Sequence, residues 1–174
     1  MMRLNPEPLI SPERIAARVG EMAAQIRADY AGRRPLLLCV LKGAAFFTAD
    51  LARALAMDTD LEFVRARSYV GTRSGGEVSL SRMDDLKITG RHVLLIEDIV
   101  DTGRTLSRLC GRLRDCEPAS LALVTLLDKP GRREVSMRAD YTGFEIGNQF
   151  VVGYGLDYEE QYRQLPGVYL LEED

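Results

Sequence analysis

The apolar positions of this chain follow two rhythms. Ile15, Val19, Met22, Ala23 and Ile26 recur as one face of a helix does, and Ser11-Pro12 before them is a start signal, a hydroxyl that caps free N–H groups followed by a proline suited to the first helical position. The spacing predicts a helix up to about Tyr30. From Leu36 to Leu41 (LLLCVL) every position is apolar, as in a strand covered on both faces within a parallel sheet. Lys42-Gly43 ends it, and AAFFTADLARALAM predicts a second helix with Phe46, Leu51 and Leu55 on its inner stripe. LEFVRA reads as the next strand. HVLLIEDIV and LALVTLL repeat the doubly buried pattern, and DTGRTLSRLCGRLRD between them predicts a helix beginning near Thr102.

Between these elements the text changes character. Arg67 to Glu77 (RSYVGTRSGGE) has three glycines and no apolar period, which marks a mobile loop, and VSLSRM after it alternates like the returning arm of a hairpin. Beyond Asp140 the chain reads as short extended pieces broken by Gly143, Gly147, Gly153, Gly155 and Gly167, expected to form a small C-terminal appendage over one sheet edge. Strands alternating with helices make this an α/β fold, with a mostly parallel central sheet flanked by helices. No repeat, low-complexity tract or linker divides residues 1–174, so a single domain is expected.

Composition narrows the chemistry. The 174 residues carry 23 Lys and Arg against 26 Asp and Glu, a formal charge of −3, which disfavours nucleic acid as the main partner. Arg132-Arg133 and Arg112/Arg114 are local basic spots, expected to be solvated faces. There is one histidine, His92, so a Ser-His-Asp hydrolase or a His-ligated zinc site has almost nothing to draw on. Opening a strand pattern, His92 is expected to pack or face the surface. Cys39, Cys110 and Cys116 are odd in number and form no C-x-x-C, which fits an intracellular protein with free thiols. The longest apolar run is far short of the ~20 residues of a membrane span, and the N-terminus lacks a signal-peptide core, so the expected location is the cytoplasm and no membrane partner.

Three strand ends carry charged or glycine-containing text: LLLCVLKG, VLLIEDIVDTGRT and LALVTLLDK. In an open parallel sheet ligands bind beyond the carboxyl ends of strands, so these ends converge on a site. The middle one runs into Glu97-Asp98 and then into Asp101-Thr102-Gly103-Arg104-Thr105 at a helix start. Backbone N–H groups and two threonine hydroxyls there form a phosphate cradle, and Gly103 lets the backbone approach closely. Two adjacent carboxylates accept hydrogen bonds from vicinal hydroxyls or hold Mg²⁺. A sugar phosphate satisfies both halves. A plain helix cap at Asp101 or Thr102 explains one acid and one hydroxyl but not the pair, and the Asp-Thr-Gly of aspartic proteases belongs to all-β surroundings that this text does not offer.

VLLIEDIVDTGRTL resembles the phosphoribosyl pyrophosphate motif of type I phosphoribosyltransferases. VLKGAAFF, RSYVGT, VTLLDKPGRR and FVVGYGLDYEEQYRQLPGVYLL, in that order, are similar to the hypoxanthine-guanine branch, and together the segments span about Leu36 to Leu171. The resemblance implies that family's fold, with a small hood and a mobile lid loop, and Mg²⁺-dependent transfer of phosphoribose to hypoxanthine or guanine, giving IMP or GMP and pyrophosphate. By position it implies that Glu97 and Asp98 bind the ribose hydroxyls and that Asp101, Thr102, Gly103, Arg104 and Thr105 hold the 5′-phosphate. Arg104 stands where many members have lysine. Asp101 would face purine N7 as proton acceptor or electrostatic partner. Lys42, Gly43 and Arg163 would hold pyrophosphate, in a loop where the family often has a cis peptide before the lysine. Lys129 would donate to the C6 oxygen, Phe150 would stack on the base, Val151 would read its edge, and Asp157 would reach a metal ion. Glu97, Asp98 and Asp157 are thus the implied Mg²⁺ residues, and Ser68-Tyr69 begin the implied lid. A homodimer or homotetramer is implied as well. A xanthine-preferring transferase, or a regulatory protein that senses phosphoribosyl pyrophosphate, would share the motif of Glu97 to Thr105.

Overall fold

The computed structural model describes residues 2–68, 78–81 and 86–173. In chain order the elements are β1 (Met2–Ile10), α1 (Pro12–Asp29), β2 (Leu36–Leu41), α2 (Ala45–Leu55), β3 (Asp60–Ser68), β4 (Val78–Ser81), β5 (His92–Val100), α3 (Arg104–Asp115), β6 (Ser120–Asp128), β7 (Tyr141–Glu145), β8 (Val151–Val152) and β9 (Val168–Glu173). A six-stranded sheet has the order β4-β3-β2-β5-β6-β7. The strands from β3 to β7 in that order run parallel, and β4 returns antiparallel on β3, as the hairpin reading expects. Tyr69 and the loop up to Glu77 lie outside the described residues, so the expected lid contributes only Ser68, the last residue of β3.

Strand alternation divides the core into two layers. Leu37, Leu94, Ile96, Val124 and Leu126 pack on α1 and α2, while Leu36, Leu38, Val93, Leu95 and Leu123 pack on α3. All of α1's predicted stripe is buried, and Ser11 Oγ accepts from Arg14 N at 3.3 Å, so the cap lies where the sequence puts it. In α2 the stripe needs correction: Phe47 is fully buried with Leu51 and Leu55, whereas Phe46 is 45% exposed. Residues 47, 51 and 55 are spaced by four, the interval that keeps side chains on one helical face; Phe46 is one step, about 100°, away. His92 is half-buried, its Nδ1 2.8 Å from Ser120 Oγ and its ring edge-on to Tyr30. Burial pushes the Cys39 and Cys110 thiols up to about 11, which keeps both protonated at neutral pH.

A second sheet, β1-β9-β8, is antiparallel and forms the hood. Two refinements of the expected appendage follow. The hood takes one strand from the N-terminus, MRLNPEPLI, whose two prolines and mixed polarity give no strand signal; it is an outer strand, where a missing N–H costs no ladder bond. Meanwhile β7, from the glycine-broken region, joins the main sheet as its edge. Arg18 of α1 donates to the carbonyls of Gly143 and Thr142 at 2.9 and 2.8 Å, occupying acceptors that this edge leaves open.

Candidate active site

The carboxyl ends of β2, β5 and β6 lie side by side, and the segment entering and leaving β8 closes over them. Asp98, Asp101, Lys129, Phe150, Val151 and Asp157 line one pocket of ≈330 Å³. Asp98 reaches it, with Glu97 next to it in the strand, because β5 carries its apolar register to Ile96 and then turns polar. Both acids are half-buried, and their protein hydrogen bonds are local: Asp98 N donates to Glu97 Oε1 at 3.1 Å and Ile99 N to Asp98 Oδ1 at 2.7 Å. Burial, reinforced by the neighbouring Asp98 charge, raises the Glu97 carboxyl well above the usual carboxylate range; Asp98 is raised by burial too. Such a pair is poised for hydroxyl groups that donate to it.

The sign of this shift gives a stability test. A carboxyl whose folded pKa is raised destabilises the fold as pH climbs past its unfolded value, because the folded protein must then bear a charge it solvates poorly. Glu97→Gln keeps the acceptor for Asp98 N and removes that charge. In the ligand-free protein it is expected to raise Tm by about 2–8 °C at pH 8, roughly 1–2 kcal/mol, and by less at pH 5, where the folded protein bears less of that charge. Melting curves at the two pH values check this, and an equal shift at both would show that the charge is not the cause.

The loop from Asp101 to Thr105 turns into α3, which begins at Arg104 rather than near Thr102. Gly103 caps it at φ +80°, and a Cβ there would stand 3.0 Å from Val135 Cγ2. Arg104 N approaches Thr102 Oγ1 at 3.4 Å. Over this loop lies the turn after β6, and here the reading of Arg132-Arg133 as solvated faces is overturned for Arg133, while Arg132 stays exposed but is salt-bridged. Arg132 Nε donates to Asp101 Oδ1 at 2.6 Å; Arg133 pairs with buried Asp128 and also donates to the Asp101 carbonyl. The Arg133 and Asp128 side chains are only 13% and 8% exposed. Sequence spacing carries no signal for the contacts to Asp101, since about thirty residues separate the partners.

Lys129, at the end of β6, is 5% exposed, and its Nζ donates to Gln149 O at 2.8 Å. Burial holds its ammonium below the usual lysine pKa, with the Asp101 charge acting in the opposite direction. Phe150 is 47% exposed, edge-on to Tyr158 at 5.8 Å between centroids, so it is no core residue, whereas Val151 is buried in β8 and lines the pocket.

Between β2 and α2 the Leu41–Lys42 peptide is cis. An added Cβ on Gly43 would lie 1.7 Å from Asp98 Oδ2, and one on Gly155 (φ +102°) would lie 2.0 Å from Gly43 O. The Lys42-Gly43 loop is therefore wedged between Asp98 and the hood, a contact that only two glycines permit. In the sequence Gly155 reads only as a break between extended pieces, with no sign of this contact. Arg163 anchors the other side by donating to Gly155 O at 2.7 Å and pairing with Asp157 Oδ1 at 2.8 Å, while its buried Nε has no partner among the described residues.

Among the described residues no three His, Cys, Asp or Glu side chains converge as a metal cage. Asp98 and Asp157 instead line the pocket wall, with Glu97 next to Asp98 in β5. That donor set fits Mg²⁺, a hard ion that keeps several waters and is bound through one or two carboxylates plus substrate phosphates.

The pattern of the Phosphoribosyl transferase domain family matches residues 10–159. The hypoxanthine-guanine phosphoribosyltransferase of Streptococcus pneumoniae is 44% identical over 167 residues, covering 95% of this chain and 93% of that one. Among solved structures, a hypoxanthine-guanine phosphoribosyltransferase of Bacillus anthracis aligns with a TM-score of 0.91 at 39% identity over 99% of this chain and all of that one. The hypoxanthine phosphoribosyl transferase of Trypanosoma cruzi aligns with a TM-score of 0.91 at 41% identity over 98% of this chain and 93% of that one.

Proposed function

The chain belongs to the phosphoribosyltransferase family, in its hypoxanthine-guanine branch, and we propose that it joins hypoxanthine or guanine to phosphoribosyl pyrophosphate, releasing pyrophosphate and forming IMP or GMP. The observation that carries this reading is the ≈330 Å³ pocket in which Asp101 and Lys129 face one space beside Phe150. One carboxylate and one ammonium there match the N7 and C6 oxygen edge of a 6-oxopurine.

In this assignment each group has one task. Glu97 and Asp98 accept from the ribose 2′- and 3′-hydroxyls, which relieves the crowding of two half-buried carboxylates. Thr102 to Thr105 hold the 5′-phosphate at the start of α3, where the helix dipole favours an anion. Phe150 stacks on the base, and backbone groups at Val151 read its edge. Asp101 takes the proton of N7, or stabilises the positive charge that builds there, as C1 of the ribose becomes electron-poor. Lys42 and Arg163 take up charge on the departing pyrophosphate. Bound Mg²⁺, with Asp157 reached through water and Glu97 and Asp98 nearby, would neutralise that leaving group further. Ser68 and Tyr69 are assigned to the lid that excludes water.

Lys129 sets specificity through its donors. An adenine amino group would leave a buried ammonium facing another donor, an uncompensated loss that polar sites use to reject analogues. A competition assay among hypoxanthine, guanine, xanthine and adenine, read as kcat/KM, is expected to favour the first two over adenine by ~10³-fold or more. In Lys129→Gln the same assay should show a fall of ~10²-fold for hypoxanthine and a narrower gap to adenine. No nucleotide from hypoxanthine or guanine would overturn the proposal, and the largest kcat/KM for xanthine would replace it with a xanthine-preferring enzyme.

A cytoplasmic homodimer or homotetramer completes the proposal. No helix among the described residues is long and apolar enough to cross a membrane. For the Trypanosoma cruzi relative, the C-terminal region has a studied role in oligomeric state and activity.

A further inference from the structure

We propose that Glu160 is a placeholder for pyrophosphate, its carboxylate occupying both cations of the pyrophosphate side until the ligand displaces it. The inference rests on the assignment of Lys42 and Arg163 to pyrophosphate. Glu160 Oε2 lies 2.8 Å from Lys42 Nζ and 3.3 Å from Arg163 Nη2. A single oxygen thus bridges two charges that come from distant parts of the chain, one from the loop after β2 and one from the segment before β9.

The turn around Glu160 delivers that oxygen. Tyr158 and Gln161 exchange backbone hydrogen bonds at 3.2 and 2.9 Å, and Glu160 N donates to Asp157 Oδ2 at 2.9 Å. Glu159, Glu160 and Tyr162 all adopt left-handed backbone, with φ of 52°, 63° and 73°, a conformation that non-glycine residues populate sparsely. The Glu160 carboxylate pairs with both cations from an exposed position. Together with Asp157 on Arg163, it leaves the two cations with no net positive charge.

Pyrophosphate outcompetes this carboxylate because it brings several charged oxygens where Glu160 brings one, and because the buried Nε of Arg163 is still without an acceptor among the described residues. Displacement nonetheless has a cost, which weakens every ligand that carries a diphosphate at this position and leaves ligands without one untouched. The site then returns to a neutral, self-paired state as pyrophosphate departs.

The test is calorimetric titration of magnesium pyrophosphate and, separately, of GMP into the wild-type protein, Glu160→Gln and Glu159→Gln. Glu159 is the exposed neighbour and controls for loss of one negative charge. Glu160→Gln is expected to tighten pyrophosphate roughly three- to ten-fold, the range for losing two exposed ion pairs, with GMP unchanged within about two-fold and Glu159→Gln changing neither. Unchanged or weaker pyrophosphate binding in Glu160→Gln would overturn the proposal. So would an equal gain in Glu159→Gln or for GMP, which would mark a general field effect. Nucleotide synthesis by the same wild-type preparation separates the two levels: activity without tightening in Glu160→Gln removes only the placeholder, whereas no nucleotide from hypoxanthine or guanine removes the assignment beneath it.

Discussion

Asp101→Asn is expected to lower kcat by ~10²- to 10⁴-fold while the KM for phosphoribosyl pyrophosphate stays within about three-fold. The two halves of that expectation have separate structural causes. Asparagine has the size of aspartate and keeps an oxygen that accepts from Arg132 Nε, and the Asp101 carbonyl still accepts from Arg133. The loop before α3 therefore keeps its shape, and with it the backbone N–H groups of 102–105 proposed to hold the 5′-phosphate. What disappears is the negative charge and the ability to take a proton facing the base. Loss of a group that acts only as the transition state forms lowers kcat without weakening sugar-phosphate binding. Steady-state kinetics with hypoxanthine check this. A fall in kcat of less than about ten-fold would remove Asp101 from the chemistry, and a large rise in KM with kcat preserved would reassign it to binding.

The Arg132 contact adds a requirement to the same step. In the ligand-free protein Asp101 Oδ1 is occupied at 2.6 Å by a guanidinium that also lines the pocket. N7 must therefore use the second carboxylate oxygen, or Arg132 must swing aside. In the first case Arg132 keeps the carboxylate oriented along the pocket wall.

Gly43→Ala is expected to raise the KM for phosphoribosyl pyrophosphate by ~10²-fold or more. The added methyl would lie 1.7 Å from Asp98 Oδ2 and 2.6 Å from its Cγ, distances at which one group must leave. Asp98 is not free to rotate away at no cost, since Ile99 N donates to its Oδ1 at 2.7 Å. The loop is not free to retreat either, because Gly43 O already abuts Gly155. The clash therefore lands on the ribose carboxylate or on the pyrophosphate loop, and both are assigned to the same substrate. A double variant isolates the cause. If the clash is with Asp98, Gly43→Ala combined with Asp98→Ala should recover most of the Tm lost in Gly43→Ala, with no recovery of activity, a coupling that independent sites would not show. Additive losses in Tm would instead place the damage elsewhere in the loop.

Much of this site is legible in sequence because its elements are local. The run from Val93 to Ile96 is apolar at every position, so it reads as a doubly covered strand, and the change to Glu97-Asp98 marks where that strand leaves the core. Lys129 is readable for the same reason, as a charge at the end of β6, and the stripe of α1 follows from spacing alone. The errors are equally instructive. Phe46 and Phe47 are adjacent and chemically identical, so only the phase of the helix tells them apart, and that phase is set by what α2 packs against. Arg132-Arg133 looks like a solvated pair in any local window. Its acidic partners belong to the β5 loop and to the end of β6, and only the turn over α3 brings them within reach.

By itself, then, the sequence determined the alternation of strands and helices, the register that buries each apolar face, and the chemistry at the strand ends, because burial and capping act over a few neighbouring residues. The tertiary structure alone decided which distant groups meet. It paired the N-terminal strand with β9, set Arg132 on Asp101, seated Glu160 on Lys42 and Arg163, and wedged Gly43 between Asp98 and Gly155. Those contacts depend on clearances of an ångström or two between segments far apart in the chain, and residue order encodes them only through the packing of the whole fold.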